Sequence, residues 1–312
     1  MDPLHNPHDK LFKAGFSDPD TAAAFLQEHL PPPIVGLIDW PRLSLQPGSF
    51  ISPQMRERHS DLLFSAPLCR TPAAPSGQPP LAYFYILFEH LTTPDRWIAL
   101  RLLEYMTLIW QGFLKNSPEA TALPVILPIV LAQNESTWQL RTQFAELLQV
   151  PPEHRDDLAA YLPQFCFRLV QLAEMPFEAI RGTPAGILVL RTMKAERLQR
   201  LLDDRVWDEA LLVQVPRVVF QQVLRYILGA ADIDREAFEH KLQQIAEPQT
   251  RAEAMTLAQQ YHHQGRQEGR QEDVLEALET RFEQVPEGLV EAVRSIQDEA
   301  HLRHLLRTAI RC

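Results

Sequence analysis

Cysteine is scarce in this chain. The three cysteines, Cys69, Cys166 and Cys312, are scattered and lack CxxC spacing, so neither a disulfide framework nor a zinc site is indicated. Long apolar runs are also missing, because the longest aliphatic stretch, residues 123–132, contains two prolines and is too short to cross a bilayer. The first residues show no apolar signal region. These absences predict a cytoplasmic protein without a membrane segment, since a reducing compartment suits unpaired cysteines.

An excess of basic residues is absent as well. The 312 residues include 30 Lys and Arg against 40 Asp and Glu, which gives a net charge of -10. Such a chain repels phosphates as a whole, so a DNA partner requires a local basic patch or metal ions. The apolar fraction of 46% is ordinary for a globular protein, and the length allows more than one structural unit.

The first half of the chain alternates between helical and strand patterns. The patterns predict a helix over residues 8–30 that is interrupted at residues 17–20, with Ser17 or Asp18 as the N-cap of its second part. They also predict strands over 34–44, 59–68 and 81–91, a helix over 95–115 and a strand over 123–131. This α-β-β-β-α-β order predicts an α/β core with a mixed central sheet and a right-handed crossover between the third and fourth strands. The proline-rich residues 70–80 are expected to form a surface loop.

Beyond Gln133 the pattern is mainly helical. It predicts one more strand over residues 165–172 and helices over 185–203, 209–229, 234–246 and 251–284. Apolar residues from Leu275 to Ile296 recur at spacings of three and four, but Pro286 interrupts them, so we expect a short helical bundle. Gly265 and Gly269 belong to a tandem four-residue repeat that indicates either close helix packing or a weakly stable polar connector, and the connector is favoured.

Two acidic residues lie at the polar ends of neighbouring predicted strands. Asp61 precedes the apolar residues Leu62 to Phe64, and Glu89 follows the apolar run from Tyr83 to Phe88. Neighbouring strands lie about 4.8 Å apart, so two carboxylates at matching heights can share a divalent cation. A hard cation with oxygen ligands is the usual solution for phosphodiester hydrolysis. The alternative is that both residues end strands and face water.

Several stretches, taken in order, resemble a known family. They are His8-Asp9-Lys10-Leu11-Phe12-Lys13, Phe16-Ser17-Asp18-Pro19, Ser60-Asp61-Leu62-Leu63, Tyr85-Ile86-Leu87-Phe88-Glu89-His90, Arg101-Leu102-Leu103-Glu104-Tyr105-Met106 and Leu123 to Leu131. Together they resemble the Rpn family of bacterial recombination-promoting nucleases, also described as YhgA-like transposases. The resemblance implies a PD-(D/E)xK nuclease domain over residues 5–195. This domain is expected to be followed by a helical extension over residues 196–250 and a C-terminal helical region over residues 251–312. Homodimerisation is expected through the C-terminal region.

The resemblance also implies roles for particular residues. Asp61 is expected to be the metal-binding aspartate and Glu89 the glutamate of an ExK-like element, and both are expected to be catalytic. His90 is expected to offer its backbone carbonyl to the same ion. The implied cofactor is Mg²⁺, and the implied activity is endonucleolytic hydrolysis of DNA, linked to recombination or mobile elements.

Leu91 departs from the family pattern. It stands two residues after Glu89, where the superfamily carries lysine and this family commonly carries glutamine. The family's Tyr-His-Gly after the fourth strand is also missing. Either a group from elsewhere replaces the missing polar group, with Lys10 or Lys13 in the first helix and Gln133 after the fourth strand as candidates, or the protein is catalytically weak or inactive.

Basic residues on two predicted helices are candidates for DNA contacts. Arg101 and Tyr105 lie one helical turn apart and either face a phosphate or cover the sheet. Arg191 and Lys194 begin a series, spaced by threes, that continues with Arg197 and Arg200. This series forms either a local basic patch for DNA or a solvated face balanced by nearby acids.

Two function classes follow from these observations. The first is a metal-dependent DNA endonuclease. The second is a catalytically inactive protein with a nuclease fold that binds DNA or another protein, which Leu91 favours. A helical adaptor whose C-terminal bundle carries the function is a third and weaker reading.

Overall fold

The computed structural model describes residues 7–47, 62–69, 81–89, 94–230, 233–282 and 284–311. The chain divides into two compact units. The first unit is Met1–Phe238 and the second unit is Glu239–Cys312.

A five-stranded mixed sheet forms the centre of the first unit. The strands are β1 (Ser44–Leu45), β2 (Leu62–Pro67), β3 (Leu81–Glu89), β4 (Val125–Ala132) and β5 (Arg168–Gln171), and their order in the sheet follows their order in the chain. β1 and β2 pair antiparallel, as do β2 and β3, whereas β3–β4 and β4–β5 are parallel. The predicted mixed sheet, with β3 and β4 parallel, is therefore confirmed.

Helices surround this sheet. They are α1 (Pro7–Phe16), α2 (Pro19–His29), α3 (Pro32–Val35), α4 (Ile98–Asn116), α5 (Arg155–Leu158), α6 (Pro184–Arg197), α7 (Glu209–Leu212), α8 (Arg217–Ala230) and α9 (Arg235–Gln243), which contains the boundary between the units. Short 3₁₀ turns lie at Trp40–Arg42, Phe144–Leu147, Pro152–His154, Ala159–Tyr161, Leu172–Glu174 and Phe177–Ala179.

The break between α1 and α2 has a local cause. Pro19 occupies the first turn of α2, where its missing N–H costs nothing. Asp18 caps that helix, because its carboxylate accepts hydrogen bonds from the Thr21 backbone N–H at 3.0 Å and from the Thr21 hydroxyl at 2.9 Å. The predicted interruption at Asp18 is confirmed.

α4 covers one face of the sheet. Its buried side chains share one core cluster with alternate residues of the strands, namely Leu63, Tyr83, Tyr85, Ile126 and Val130. The rings of Tyr85 and Tyr105 meet edge to face, with centroids 5.5 Å apart. Tyr83 and Tyr85, alternate residues of β3 that share a face, therefore point towards α4.

α1 packs against α6 and α8 within the same unit. The contact with α6 is close, since a Cβ built on Gly15 would lie 2.7 Å from Cγ2 of Val189. Phe12 and Phe16 stack beside it, with ring centroids 4.9 Å apart, and both are fully buried. Glycine at position 15 is therefore required by the distance between the two helices.

Three helices form the second unit. α10 (Pro248–Phe282), α11 (Glu287–Ser295) and α12 (Glu299–Arg311) share an apolar core of Val274, Leu275, Val293 and Leu302. Gln271 ties α10 to the end of α11, because its side-chain amide donates to the carbonyls of Arg294 at 2.9 Å and Ile296 at 2.8 Å. Arg270 forms an ion pair with Glu299. The predicted short bundle is confirmed.

Two secondary-structure predictions were wrong. The expected strand over 34–44 is replaced by α3, a turn and a 3₁₀ turn, because consecutive prolines favour a helical first turn there. The expected helix over 209–229 is divided into α7 and α8, with Pro216 directly before α8. The predicted helix over 251–284 is confirmed and runs through Gly265 and Gly269, and the alternative of close helix packing at these glycines is wrong, because nothing outside the helix's own backbone lies within 4 Å of a Cβ built at either one.

Candidate functional site

Three strands bring their ends to one edge of the sheet. β3 and β4 are parallel and end together, with Glu89 opposite Ala132. β2 runs the other way, so its first residues lie at this same edge, with Leu62 opposite Ile86. We call this edge, formed by the start of β2 and the ends of β3 and β4, the C-terminal edge. α4 connects β3 to β4 and must return from the C-terminal edge, so its first turn begins there.

The predicted metal ligands fall largely outside the described residues. Asp61, His90 and Leu91 lie outside them, and Glu89 is described only through its backbone, as the last residue of β3. Among the residues that the structure does describe, no group of three or more His, Cys, Asp and Glu side chains is placed to hold a metal ion. The shared cation site of Asp61 and Glu89 therefore stays a prediction.

Arg101 and Tyr105 take different places on α4. Tyr105 is 5% exposed and packs on Tyr85, so it covers the sheet. Arg101 lies one turn nearer to the start of the helix, with 21% of its side chain exposed and a guanidinium nitrogen 3.7 Å from the Asp95 carboxylate. Of these two residues, Arg101 is the one positioned at the rim of the C-terminal edge.

Gln133, directly after β4, is the centre of a buried polar cluster that sequence reasoning missed. It is fully buried, and its side-chain nitrogen lies 2.9 Å from the Met193 carbonyl, 3.0 Å from a Glu196 carboxylate oxygen and 3.1 Å from the Tyr226 hydroxyl. Its side-chain oxygen lies 3.1 Å from Nδ1 of His8, and that nitrogen lies 2.9 Å from the Tyr226 hydroxyl. The cluster thereby joins α1, α6 and α8 to the end of β4.

The surroundings of this cluster shift the pKa values of two of its groups. Burial raises the pKa of the Glu196 carboxyl, against the opposing effect of Arg197, whose Nε lies 3.6 Å away. Burial, followed by the nearby Glu196 charge, raises the pKa of the Tyr226 hydroxyl as well. The Arg197 side chain also donates to the Gln133 backbone carbonyl at 3.1 Å. These groups are linked to one another through Gln133, which is typical of a structural polar network.

The side chain of Asn134 also joins neighbouring elements through hydrogen bonds. Its side-chain nitrogen donates to the Ser136 carbonyl and to the Gln171 side chain, both at 2.8 Å, and its oxygen accepts from the Ala173 backbone N–H at 3.2 Å. These bonds join the ends of β4 and β5. Residues 133 and 134, which stand where the family motif was expected, therefore serve as anchors between elements.

The predicted substitutes for the missing polar group are placed apart from one another. Gln133 makes all of its contacts with helices α1, α6 and α8, whereas the face of β3 that carries position 89 points towards α4. Lys10 is exposed on α1. The amide of Gln133 is fully engaged inside the protein, so its geometry disfavours a catalytic role.

The predicted basic patch on α6 points largely into the protein. Lys194 is 8% exposed, and its ammonium donates to the carbonyls of Leu172 at 2.6 Å and Ala173 at 3.3 Å. Burial accordingly lowers its pKa. Arg191 donates to the Arg205 carbonyl at 2.9 Å and lies 3.6 Å from the Asp208 carboxylate. This placement disfavours DNA contacts by either side chain.

The helices in the described ranges are all too short or too polar to span a bilayer.

Known proteins match this chain over most of its length. A family described as "Putative transposase, YhgA-like" matches residues 6–213. Recombination-promoting nuclease RpnA of Escherichia coli (strain K12) is 31% identical over 267 residues, which cover 84% of this chain and 85% of that protein. Recombination-promoting nuclease RpnD of Escherichia coli O157:H7 is 28% identical over 82% of this chain and 94% of that protein.

A third relative carries a different label. Inactive recombination-promoting nuclease-like protein RpnE of Escherichia coli (strain K12) is 27% identical over 87% of this chain and 86% of that protein. No solved structure gives a significant match. Because the family match spans well over half of the residues and RpnA is similar over most of both chains, this chain belongs to the YhgA-like transposase family, which includes relatives named recombination-promoting nucleases.

Proposed function

We propose that this protein is a Mg²⁺-dependent DNA endonuclease that acts in DNA recombination and that residues 5–195 form a PD-(D/E)xK nuclease domain. Its relatives RpnA and RpnD are named nucleases and align with more than four fifths of the chain. The observation that carries the proposal is the register of β2 and β3, which brings the start of one strand and the end of the other to the C-terminal edge. DNA is the proposed substrate and the cytoplasm the proposed location.

The register also predicts on which face the two carboxylates lie. Leu62 pairs with Ile86, so continuing the ladder by one pair sets Asp61 opposite Leu87. Positions 87 and 89 share a face because side chains alternate along a strand. Diagonal neighbours of this kind lie about 7–8 Å apart, within reach of a shared cation. α4 covers the face that carries Leu63, Tyr83 and Tyr85, and we propose that the two carboxylates lie on this face with Arg101 beside them.

The proposed donor set suits magnesium. Two carboxylates and the His90 backbone carbonyl are hard oxygen donors, which Mg²⁺ prefers. When bound, the ion polarises a scissile phosphate and lowers the pKa of a bound water. The protein's own part is to hold the ion through Asp61 and Glu89 and to place a phosphate beside the guanidinium of Arg101.

A plasmid nicking assay with and without Mg²⁺ tests this proposal. We expect the wild type to nick DNA only with the metal, and Asp61→Ala to lower the rate about 10²–10⁴-fold, as the loss of a catalytic group typically does. Asp20→Ala removes an exposed carboxylate from α2 and serves as the matched control that leaves the rate unchanged. Absence of cleavage by the wild type, or equal cleavage by Asp61→Ala, contradicts the proposal.

A second candidate function is a DNA-binding or protein-interaction module without chemistry. Leu91 at the expected lysine or glutamine position favours it, and RpnE shows that the relatives include a protein named inactive. The same assay separates the two candidates. A module without chemistry binds DNA but leaves the plasmid intact at every metal concentration.

We also propose that the second unit joins two copies of the chain. Phe282 and Leu289, exposed by 59% and 43%, border an apolar cavity of about 340 Å³ between the three helices. Burying exposed apolar surface favours association. Light scattering on Phe282→Glu is expected to show loss of a dimer, while Val213→Glu, at a 64% exposed position of the first unit, retains it. A monomeric wild type refutes this part of the proposal.

A further inference from the structure

We propose that Trp97, Leu100 and Arg96, at the start of α4, form a stacking platform for an unpaired nucleobase of the DNA substrate. This inference rests on the proposed function, because it names the kind of DNA that the C-terminal edge receives. It predicts a preference for DNA with single-stranded character, such as a flap, a bubble or an overhang.

The first observation is an exposed apolar surface on a rigid support. Trp97 is 49% exposed and Leu100 is 51% exposed. Residues three apart are neighbours on a helix surface, so the two side chains form one patch. Ile98 and Ala99, each 1% exposed, anchor the same turn in the core beneath α4. The indole is therefore presented to solvent by a turn that is itself fixed.

The second observation is the charge around the ring. The guanidinium carbon of Arg96 lies 5.1 Å from the centroid of the Trp97 ring. Arg101 follows Trp97 by one helical turn. Asp95 fixes this arrangement, since its carboxylate accepts from the Trp97 backbone N–H at 2.8 Å and pairs with Arg101 at 3.7 Å.

These features match the chemistry of a strand with unpaired bases. An aromatic ring beside cations is the recurring way in which proteins bind single-stranded nucleic acid, because bases stack on the ring and phosphates meet the cations. Bases inside an intact duplex already stack on one another and offer no free face. In a chain with a net charge of -10, a guanidinium beside an exposed indole favours a polyanion over an apolar protein surface.

The third observation is position. α4 begins directly after Trp97, its Tyr105 packs on Tyr85 of β3, and its Trp110 donates to the Pro124 carbonyl just before β4, so the first turn of α4 is directed towards the C-terminal edge. The platform therefore borders the strand ends that are proposed to carry the metal ligands. A base held on Trp97 would fix the neighbouring phosphates at that edge.

Binding without cleavage tests the platform. Fluorescence anisotropy in EDTA compares a labelled 20-nucleotide single strand with a blunt duplex of the same sequence. We expect the wild type to prefer the single strand, and Trp97→Ala to weaken single-strand binding about tenfold while changing duplex binding less than about twofold, since stacking on one aromatic residue has an effect of this size. Trp97→Phe keeps a ring and is expected to stay within about threefold of the wild type.

The matched control is Leu123→Ala. Leu123 is also 49% exposed but precedes β4, at the opposite edge of the sheet. Its removal is expected to leave both affinities unchanged. Thermal melting of each variant establishes that it is folded. Quenching of tryptophan fluorescence by the single strand reports on the Trp97 ring directly, and this quenching should be lost in Trp97→Phe. The quenching experiment remains informative even if Trp97→Ala is unstable.

Specific outcomes overturn the inference. The wild type could bind the single strand and the duplex equally well. Trp97→Ala could weaken binding to both DNAs equally or leave single-strand binding unchanged. Trp97→Ala could also change the oligomeric state and not the affinity for DNA. This binding assay does not depend on the nuclease proposal, because EDTA prevents any metal-dependent cleavage while the affinities are measured. Selective loss in Trp97→Ala together with an uncleaved plasmid would support the platform and refute the nuclease.

Discussion

Replacing Gln133 by leucine tests whether this residue is structural or catalytic. The side-chain amide has two N–H groups and faces three acceptors, so its donors are fully used. Leucine has a similar size but no polar atoms. The substitution therefore removes the bonds to Met193, Glu196 and His8 while leaving those groups buried.

The magnitude follows from the groups that remain. A buried polar group that loses its partner typically costs about 1–3 kcal/mol. Glu196 keeps Arg197 nearby and His8 keeps Tyr226, which lessens the loss at those two groups. We therefore expect Gln133→Leu to lower the free energy of unfolding of the first unit by about 2–4 kcal/mol. For a unit of this size that corresponds to a fall of roughly 4–16 °C in melting temperature.

The assay is urea denaturation followed by tryptophan fluorescence. All five tryptophans lie before residue 238, so their emission reports on the first unit alone. Gln214→Leu is the matched control, because Gln214 is exposed and its side chain donates to the Ala210 carbonyl one helical turn away, at 2.7 Å. We expect a change within about 0.5 kcal/mol for this control. Unchanged stability of Gln133→Leu together with lost cleavage would refute the structural role and favour a catalytic one.

Three further predictions concern other parts of the chain. Leu91→Lys restores the expected polar group and should raise the rate of DNA nicking at least about tenfold; an unchanged rate, equal to that of Leu91→Ala, contradicts this. Gly265→Ala should stabilise the second unit by about 1 kcal/mol in circular dichroism melts, since nothing lies near the added methyl group. Gly15→Ala should instead destabilise the first unit by about 1–3 kcal/mol, because the methyl group meets Val189, and equal effects at the two glycines would refute the packing argument. Burial and the nearby Arg168 charge lower the pKa of His29 to about 4. The folded protein therefore binds this proton less readily than the unfolded chain does. The free energy of unfolding should fall by at most about 3 kcal/mol as the pH drops from 6.5 to 4. In denaturant titrations across that range, His29→Gln should flatten the fall, and an unchanged slope contradicts the assignment.

Much of the sheet could be predicted from the sequence because its strands are long and apolar. The runs before Glu89 and from Val125 to Ala132 contain too few polar residues for a surface strand, and the helix between them implies a parallel pair. The segment 34–44 was mispredicted for a different reason. Its apolar residues suggest a strand, but the preceding prolines and Pro41 decide the local backbone.

Side-chain partners could not be predicted in the same way. Lys194 and Arg191 lie at a spacing typical of a charged helix face, but the charge pattern alone does not show that Lys194 finds backbone carbonyls after β5. The cluster around Gln133 joins residues up to 218 positions apart, and only the fold brings them together. A weak signal did exist, since two uncharged polar residues directly after a buried strand require buried partners.

The C-terminal edge has an evolutionary consequence. The apolar middle of β2, β3 and β4 maintains the fold, whereas the candidate chemistry is confined to residues at the tips of these strands. Substitutions at the tips can therefore accumulate without disturbing the packed interior. The same packed scaffold is therefore compatible with either candidate function, the nuclease or the module without chemistry.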